Sequence, residues 1–218
     1  MYWIAFGDIH EATGAVASVP GLAGAEGVII TGDLTNRGGR EAGERVLSAV
    51  AAVNPRILAV PGNMDTDAVR DVLRERGADL HLRTRELAPG LGLAGVGLST
   101  PTPFGTPGEV PEETLAGWLD DLADRISGFD RLVAAIHQPP LGSALDRISS
   151  GAHVGSPAVR RFIERVRPDV VVTGHIHESR GAERIGDTLV VNPGALADGG
   201  HVRLDYEGGR LSATLLGV

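Results

Sequence analysis

Five short apolar runs in this chain each end on a side chain that can bind a metal, and this repeat limits the fold more than any other feature. Tyr2 to Phe6 runs into Gly7-Asp8-Ile9-His10, Val28 to Ile30 into Thr31-Gly32-Asp33, and Ile57 to Val60 into Pro61-Gly62-Asn63-Met64-Asp65. Leu132 to Ile136 ends at His137, and Asp169 to Thr173 ends at Gly174-His175-Ile176-His177. Runs this short, rich in Val and Ile and bounded by Gly or Pro, read as buried strands. Between them lie stretches of helical period: Arg40 to Val53 with Val46, Leu47 and Val50 on one face, Asp67 to Arg76 stopped by Gly77, and a segment to Arg167 capped by Ser156-Pro157. Pro111 and Glu112-Glu113 open a further helix to about Ile126, with proline and acids in the first turn, where free amides and the helix dipole favour them. Strand, loop and helix in repetition predict an α/β fold whose loops at strand ends carry the chemistry. When such strands lie largely parallel their carboxyl ends share one edge, so residues distant in sequence become neighbours.

The remaining segments are less regular. Leu80 to Leu98 is Gly-punctuated and strand-like, Ser99 to Pro111 is a Pro/Gly/Thr loop of the kind that lines a site, and a Gly/Ser-rich loop containing His153 follows His137. The C-terminal part alternates Leu189 to Val191, the turn Asn192-Pro193-Gly194, His201 to Tyr206, the turn Glu207-Gly208-Gly209, and Arg210 to Leu216. No repeat or composition shift marks a linker, and 218 residues fall within the range of one domain, so residues 1–218 read as a single domain.

Composition removes several classes of function. A net charge of -8 leaves no basic footprint for binding a nucleic-acid duplex. The absence of cysteine excludes disulfides, thiolate metal sites and a cysteine nucleophile, so any metal must be held by nitrogen and oxygen. The apolar start, Met1 to Phe6, has no basic flank and is interrupted at once by Gly7-Asp8, which marks a strand and not a signal peptide. No run approaches the roughly 20 apolar residues of a spanning helix. The expectation is a soluble, cytoplasmic protein without a membrane partner.

His175 and His177 lie two positions apart, and in an extended segment both would project to one side. Alone, such a pair is more often two surface histidines than a metal site. Its company decides: Asp8, His10, Asp33, Asn63, His137, His175 and His177 all sit at or just past the end of an apolar run. Seven oxygen and nitrogen ligands exceed what one transition ion accepts with an open position. The count fits two ions sharing a bridging carboxylate.

Asp8-Ile9-His10, Gly32-Asp33, Gly62-Asn63-x-Asp65, His137 and Gly174-His175-Ile176-His177 resemble, in order, the five blocks of the calcineurin-like metallophosphoesterases, and Asn192-Pro193-Gly194 is similar to the small YfcE-type and Icc-related branches. The resemblance implies a two-sheet sandwich flanked by helices. It also implies that Asp8, His10 and His177 hold a first metal, that Asn63, His137 and His175 hold a second, and that Asp33 bridges them. A bridging hydroxide would then attack phosphorus in line, between ions roughly 3.5 to 4 Å apart. Asn63 would ligate without adding charge, and His175 and His177 would serve neighbouring ions. Mn, Fe, Zn, Ni and Co all suit such ligands, with Mn favoured. The implied substrate is a small phosphate ester.

The sequence departs from this pattern at Met64, where much of the family has a histidine placed to bind phosphate and protonate the leaving group. A thioether donates no proton, which shifts the expectation from monoesters toward diesters and good leaving groups. His153 is the candidate substitute acid or phosphate ligand, with solvent exposure as its plainer explanation. Asp65 is placed to orient Asn63 or a backbone amide, and Arg37, next to Asn36, could clamp a phosphate or simply solvate a helix start. Glu11 stands where many relatives have Gly and would narrow access. His81 and His201 lack ligand-type neighbours and read as structural or surface residues. Two other functions compete with this reading: a non-catalytic metal-binding interaction protein on the same scaffold, as in the retromer subunit that resembles this family, and a metal amidohydrolase. The first predicts degraded ligands, whereas all seven are present. The second places His-x-His on the first strand of a barrel of typically about 250 residues. Specificity falls to the loops 99–111 and 138–155, and oligomeric state is left open.

Overall fold

The computed structural model describes residues 1–126 and 128–217. In chain order its elements are β1 (Tyr2–Phe6), α1 (Thr13–Val16), β2 (Val28–Ile30), α2 (Arg40–Val53), β3 (Ile57–Ala59), α3 (Asp67–Glu75), β4 (Arg83–Ala88) and β5 (Leu91–Val96). They continue as α4 (Glu112–Ala123), β6 (Arg131–Ile136), α5 (Pro157–Val166), β7 (Val170–Val172), β8 (Gly181–Ile185), β9 (Thr188–Asn192), β10 (His201–Glu207) and β11 (Arg210–Leu216).

These strands form two sheets, ordered β11-β10-β1-β2-β3 and β4-β5-β6-β7-β9-β8. Within the first, β1, β2 and β3 are parallel, while β10 and β11 join as an antiparallel hairpin. In the second, β5, β6, β7 and β9 are parallel, and the outer strands β4 and β8 are antiparallel to their neighbours. Along the inner strands β1, β2, β5, β6, β7 and β9 apolar side chains point to both faces, which buries the middle of both sheets, while the edge strands β4, β8 and β11 are more exposed. From β1, Trp3 and Ala5 meet Val133, Ala135, Val170 and Val172 of the other sheet, forming the layer between the sheets. Ile4 and Phe6 of the same strand point the other way and pack with Val46, Leu47 and Val50 of α2 and Val72 and Leu73 of α3. Leu132, Ala134 and Ile136 of β6 likewise pack on Leu115, Leu119 and Leu122 of α4 and Val159, Phe162 and Ile163 of α5. The result is four layers, helix, sheet, sheet, helix, as expected for a flanked two-sheet sandwich.

The helix α2 has the predicted bounds, and Ser156 caps α5 by accepting from the amides of Ala158 and Val159. Other expectations shift in detail. Leu80 to Leu98 resolves into β4 and β5 joined at Pro89-Gly90, α4 ends at Ala123 instead of near Ile126, and β8 and the short α1 add to the elements expected from sequence. Gly208 and Gly209 both have positive φ in the β10–β11 turn, the conformation a two-residue hairpin connection requires. Among the described residues no helix is long and apolar enough to cross a membrane.

Candidate metal centre

The parallel strands of the two sheets bring their carboxyl ends to one edge. Asp8 and His10 follow β1, Asp33 follows β2, Asn63 follows β3, His137 follows β6, and His175 and His177 follow β7. All seven meet there. Asp8, Asp33, Asn63 and His137 are buried, and His10, His175 and His177 are partly exposed. Asp8, His10, Asp33 and His175 have φ between 46° and 72°. Left-handed backbone at four non-glycine residues is strain that persists only where the surroundings over-determine it, and it concentrates at functional sites.

That backbone corrects the simple picture of an extended His-x-His pair. The strand stops at Val172, His175 takes φ 72°, and His177 opens a single 3-10 turn, so the two rings part. His177 Nε2 lies 3.1 Å from His10 Nε2 and 3.3 Å from Asp8 Oδ1. His175 Nδ1 lies 2.7 Å from Asn63 Oδ1, which His137 Nε2 approaches to 2.9 Å. Asp33 stands between these groups, its Oδ2 3.7 Å from His10 Nε2 and its Oδ1 3.6 Å from His137 Nε2. Gly174 serves close approach: a Cβ there would sit 2.6 Å from Asp8 Oδ2.

The hydrogen bonds behind these atoms fix where the lone pairs point. His137 Nδ1 faces the carbonyl of Thr31 at 2.8 Å and must carry the proton, which leaves Nε2 as a bare lone pair. Asn63 donates its amide N–H to Thr106 Oγ1 at 3.0 Å, so its carbonyl oxygen is the atom turned toward His137 and His175. The lone pair of His137 therefore meets that of Asn63 at 2.9 Å. His10 Nδ1 faces Asn36 Oδ1 at 2.8 Å, so its Nε2 is likewise bare where it meets His177, Asp8 and Asp33. Acceptors converging without protons between them are what a cation reconciles. Ligands bonded to one ion at about 2.0–2.2 Å stand roughly 3 to 3.5 Å apart, the scale seen here. The donor set thus fits divalent ions, with Asp8, His10 and His177 grouped on one side and Asp8, Asp33 and His137 also within reach of a common point.

Electrostatics agree. Burial pushes the Asp33 carboxyl well above its usual value, reinforced by Asp8 and Asp65, so nearby positive charge is needed to keep it ionised. Burial also lowers His10 and His137, and takes His175 down to about 3, leaving neutral imidazoles. His177 is raised, chiefly by its contact with Asp8.

The residues around the seven take roles that the sequence left open. Asn36 holds His10 from both sides, accepting at Nδ1 and donating to the His10 carbonyl at 3.1 Å. Glu11 accepts from the Asn36 amide and pairs with Arg45 at 3.0 Å, so its carboxylate is engaged away from the metal ligands. Asp65 orients backbone and not Asn63: it accepts from Gly62 N, Leu34 N, Thr35 N and Thr35 Oγ1, joining the β2 and β3 loops. Arg37 donates to the carbonyl of Phe104 at 2.8 Å, drawing the 99–111 loop to the mouth. His153 Nδ1 pairs with the buried Asp146 at 2.6 Å, and no hydrogen bond or ion pair among the described residues joins it to the seven. His81 accepts from Gly97 N and His201 Nδ1 faces the carbonyl of Gly199, both away from the site.

A fold of this kind, with this edge, defines a metallophosphoesterase, and comparison with known proteins agrees. The profile of the calcineurin-like phosphoesterases matches residues 2–179, and the chain belongs to that family. It is 31% identical over 175 residues to the uncharacterized protein MJ1162 of Methanocaldococcus jannaschii, covering 78% of this chain and 77% of that one. Among solved structures it resembles TT1561 of Thermus thermophilus, with a TM-score of 0.73 at 19% identity over 98% of this chain and 97% of that one. A dimetal phosphatase from Danio rerio shares the fold with a TM-score of 0.65 at 10% identity, over 100% and 96% of the two chains.

Proposed function

We propose that this protein is a two-metal phosphoesterase that prefers phosphodiesters to phosphomonoesters, and that the seven residues at the strand edge hold its metals. The observation that carries this reading is the convergence of the His10 Nε2, His137 Nε2 and Asn63 Oδ1 lone pairs with the Asp8 and Asp33 carboxylates, one oxygen of Asp33 facing each histidine. Asp8, His10 and His177 would hold one divalent ion, Asn63, His137 and His175 the other, and Asp33 would bridge. Bound ions of this type supply water activated near neutral pH and positive charge to offset the phosphate oxygens. Manganese is our first choice among ions that these nitrogen and oxygen donors suit, with Fe, Zn, Ni and Co as the others.

The chain's own groups shape the rest. Two carboxylates and five neutral ligands leave a surplus of positive charge for an anionic substrate once two divalent ions are bound. Met64 donates its backbone N–H to Asp33 Oδ1 at 2.8 Å, which fixes the bridging carboxylate, while its thioether offers no proton. This supports the diester preference, since an acid for a poor leaving group is worth about 10² to 10⁴ in rate. His153 is our candidate for a partial substitute, less well placed than the missing acid because no hydrogen bond or ion pair among the described residues joins it to the seven: Asp146 holds its Nδ1, the side chain is 42% exposed, and its loop is tied to the His177 turn through Ser149 and Glu178.

The test is hydrolysis by the Mn-loaded protein of bis(p-nitrophenyl) phosphate against a simple alkyl phosphomonoester. Faster turnover of the diester is expected, and no turnover with both ions bound would overturn the assignment. For His153→Ala, esters with poor leaving groups should slow by about 10² to 10⁴ while p-nitrophenyl esters hold their rate. Equal rates on both classes would remove His153 from the mechanism.

A further inference from the structure

The loop between β5 and α4 does more at this edge than cover it. Thr106 and Glu109 lie 43 and 46 positions from Asn63 in sequence, yet they form a chain of hydrogen bonds that ends on its amide. Asn63 Nδ2 donates to Thr106 Oγ1 at 3.0 Å, and Thr106 Oγ1 donates to Glu109 Oε1 at 2.7 Å. The same carboxylate oxygen accepts from Thr106 N at 2.7 Å and Thr102 Oγ1 at 2.6 Å. Gly108 N donates to the Asn63 carbonyl at 2.8 Å, so backbone and side chain of Asn63 are gripped by one loop.

The direction of this chain is forced. A hydroxyl has one proton, and Thr106 spends it on Glu109, a carboxylate that can only accept. Partial burial works against ionisation of Glu109, but its hydrogen bonds from Thr102 and Thr106 hold the carboxyl down at about 2. Thr106 Oγ1 must therefore accept from Asn63, and only the Nδ2 end of the amide can supply the proton. The oxygen is then committed to the side where His137 and His175 stand. Without this chain the two amide orientations would compete, and one of them puts an NH₂ where a cation would bind.

We propose that Thr106 and Glu109 are positioning residues that set the amide of Asn63 for metal binding. The inference rests on the reading of Asn63 as a ligand. Residues that orient a ligand from behind typically change metal affinity about 10–100-fold when removed. The probe is Mn²⁺ titrated into metal-free protein, followed by calorimetry and by metal content after dialysis.

Thr106→Val keeps shape and removes the hydroxyl, and it should weaken one of two Mn²⁺ equivalents by about 10–100-fold while leaving the other unchanged. Thr106→Ser should restore it. In an Asn63→Asp background, whose carboxylate oxygens are equivalent, Thr106→Val should cause little further loss. If the valine packs badly, Thr106→Ser against Thr106→Ala isolates the same hydroxyl in a smaller side chain. Wild-type affinity in both Thr106→Val and Thr106→Ala, beside a loss in Asn63→Ala, would overturn the relay and spare the ligand assignment. No loss in Asn63→Ala would overturn the ligand assignment itself. A loss from Thr106→Val that persists undiminished in the Asn63→Asp background would show loop packing in place of orientation.

Discussion

Replacing Asp65 by asparagine tests how the two halves of the site are held in register. Asp65 is fully buried, its Oδ2 accepts from Leu34 N and Gly62 N at 3.1 and 2.9 Å, and its Oδ1 accepts from Thr35 N and Thr35 Oγ1 at 2.9 and 3.0 Å. These four donors come from the loops that carry Asp33 and Asn63. An asparagine has only one oxygen. Its less costly orientation puts the NH₂ at the Oδ1 position, where the Thr35 hydroxyl can turn to accept but Thr35 N–H is orphaned. A buried donor left unpaired costs about 1–3 kcal/mol, and the two surviving amide bonds weaken by about 1 kcal/mol each once the charge is gone. Burial disfavours the Asp65 charge, which also repels Asp33, and this offsets part of the loss. Asp65→Asn should therefore destabilise the metal-free protein by about 2–5 kcal/mol. For a chain of this size that is a fall in Tm of very roughly 5–15 °C. Urea unfolding in the presence of chelator measures it, since bound metal would add its own stabilisation. A loss under about 1 kcal/mol would mean that the four hydrogen bonds do not fasten the loops, and the account of Asp65 would fail.

Three further outcomes are expected. His175→Ala and His177→Ala should each weaken a different Mn²⁺ equivalent, and identical titration curves would show that the two rings serve one ion. Gly62→Ala should displace Asp33 and reduce metal binding, because a Cβ at 62 would fall within contact distance of the Asp33 carboxylate and backbone nitrogen; a normal titration would contradict the packing. Burial pushes His81 down to about 4, below the ordinary 6.5, while its Nδ1 accepts from Gly97 N at 3.0 Å. The unfolded chain then takes up its proton first, so the His81 contribution is whole above pH 6.5 and is lost as pH falls toward 4. At about 1.36 kcal/mol per unit this amounts to about 3 kcal/mol. His81→Gln should lose correspondingly less stability between pH 7 and pH 4 than the wild type, and equal losses would refute the assignment.

The seven candidate ligands were legible because each sits just past the end of one of five strands, where a short apolar run is a local signal. Helix α2 was legible for the same reason, since its period and bounds lie within its own residues. What supports the ligands was not. Asn36 reaches His10 across 26 positions, Asp65 reaches Leu34 across 31, and Thr106 reaches Asn63 across 43. The 99–111 loop read as one that lines a site, but only packing showed that Thr106 and Gly108 within it bond to Asn63, with Glu109 behind Thr106. Of the two roles the sequence left open for Asp65, orienting Asn63 or a backbone amide, the structure has the second, because its carboxylate is spent on Gly62 N, Leu34 N, Thr35 N and Thr35 Oγ1.

By itself the sequence determined the alternation of strands and helices and the seven ligand-type side chains at strand ends, both properties of neighbouring residues, and the absence of cysteine thiolates. Tertiary structure decided how eleven strands divide between two sheets, and that β10 and β11 return to pair beside β1. It also decided that His175 and His177 diverge. The expected extended geometry would have aimed both rings at one side, but left-handed backbone at His175 and the turn at His177 send one to Asn63 and the other to His10. A two-residue spacing sets a side chain's face only while the strand continues. This strand ends at Val172, and beyond it the direction of each ring is set by partners from the other sheet, Asn63 after β3 and His10 after β1.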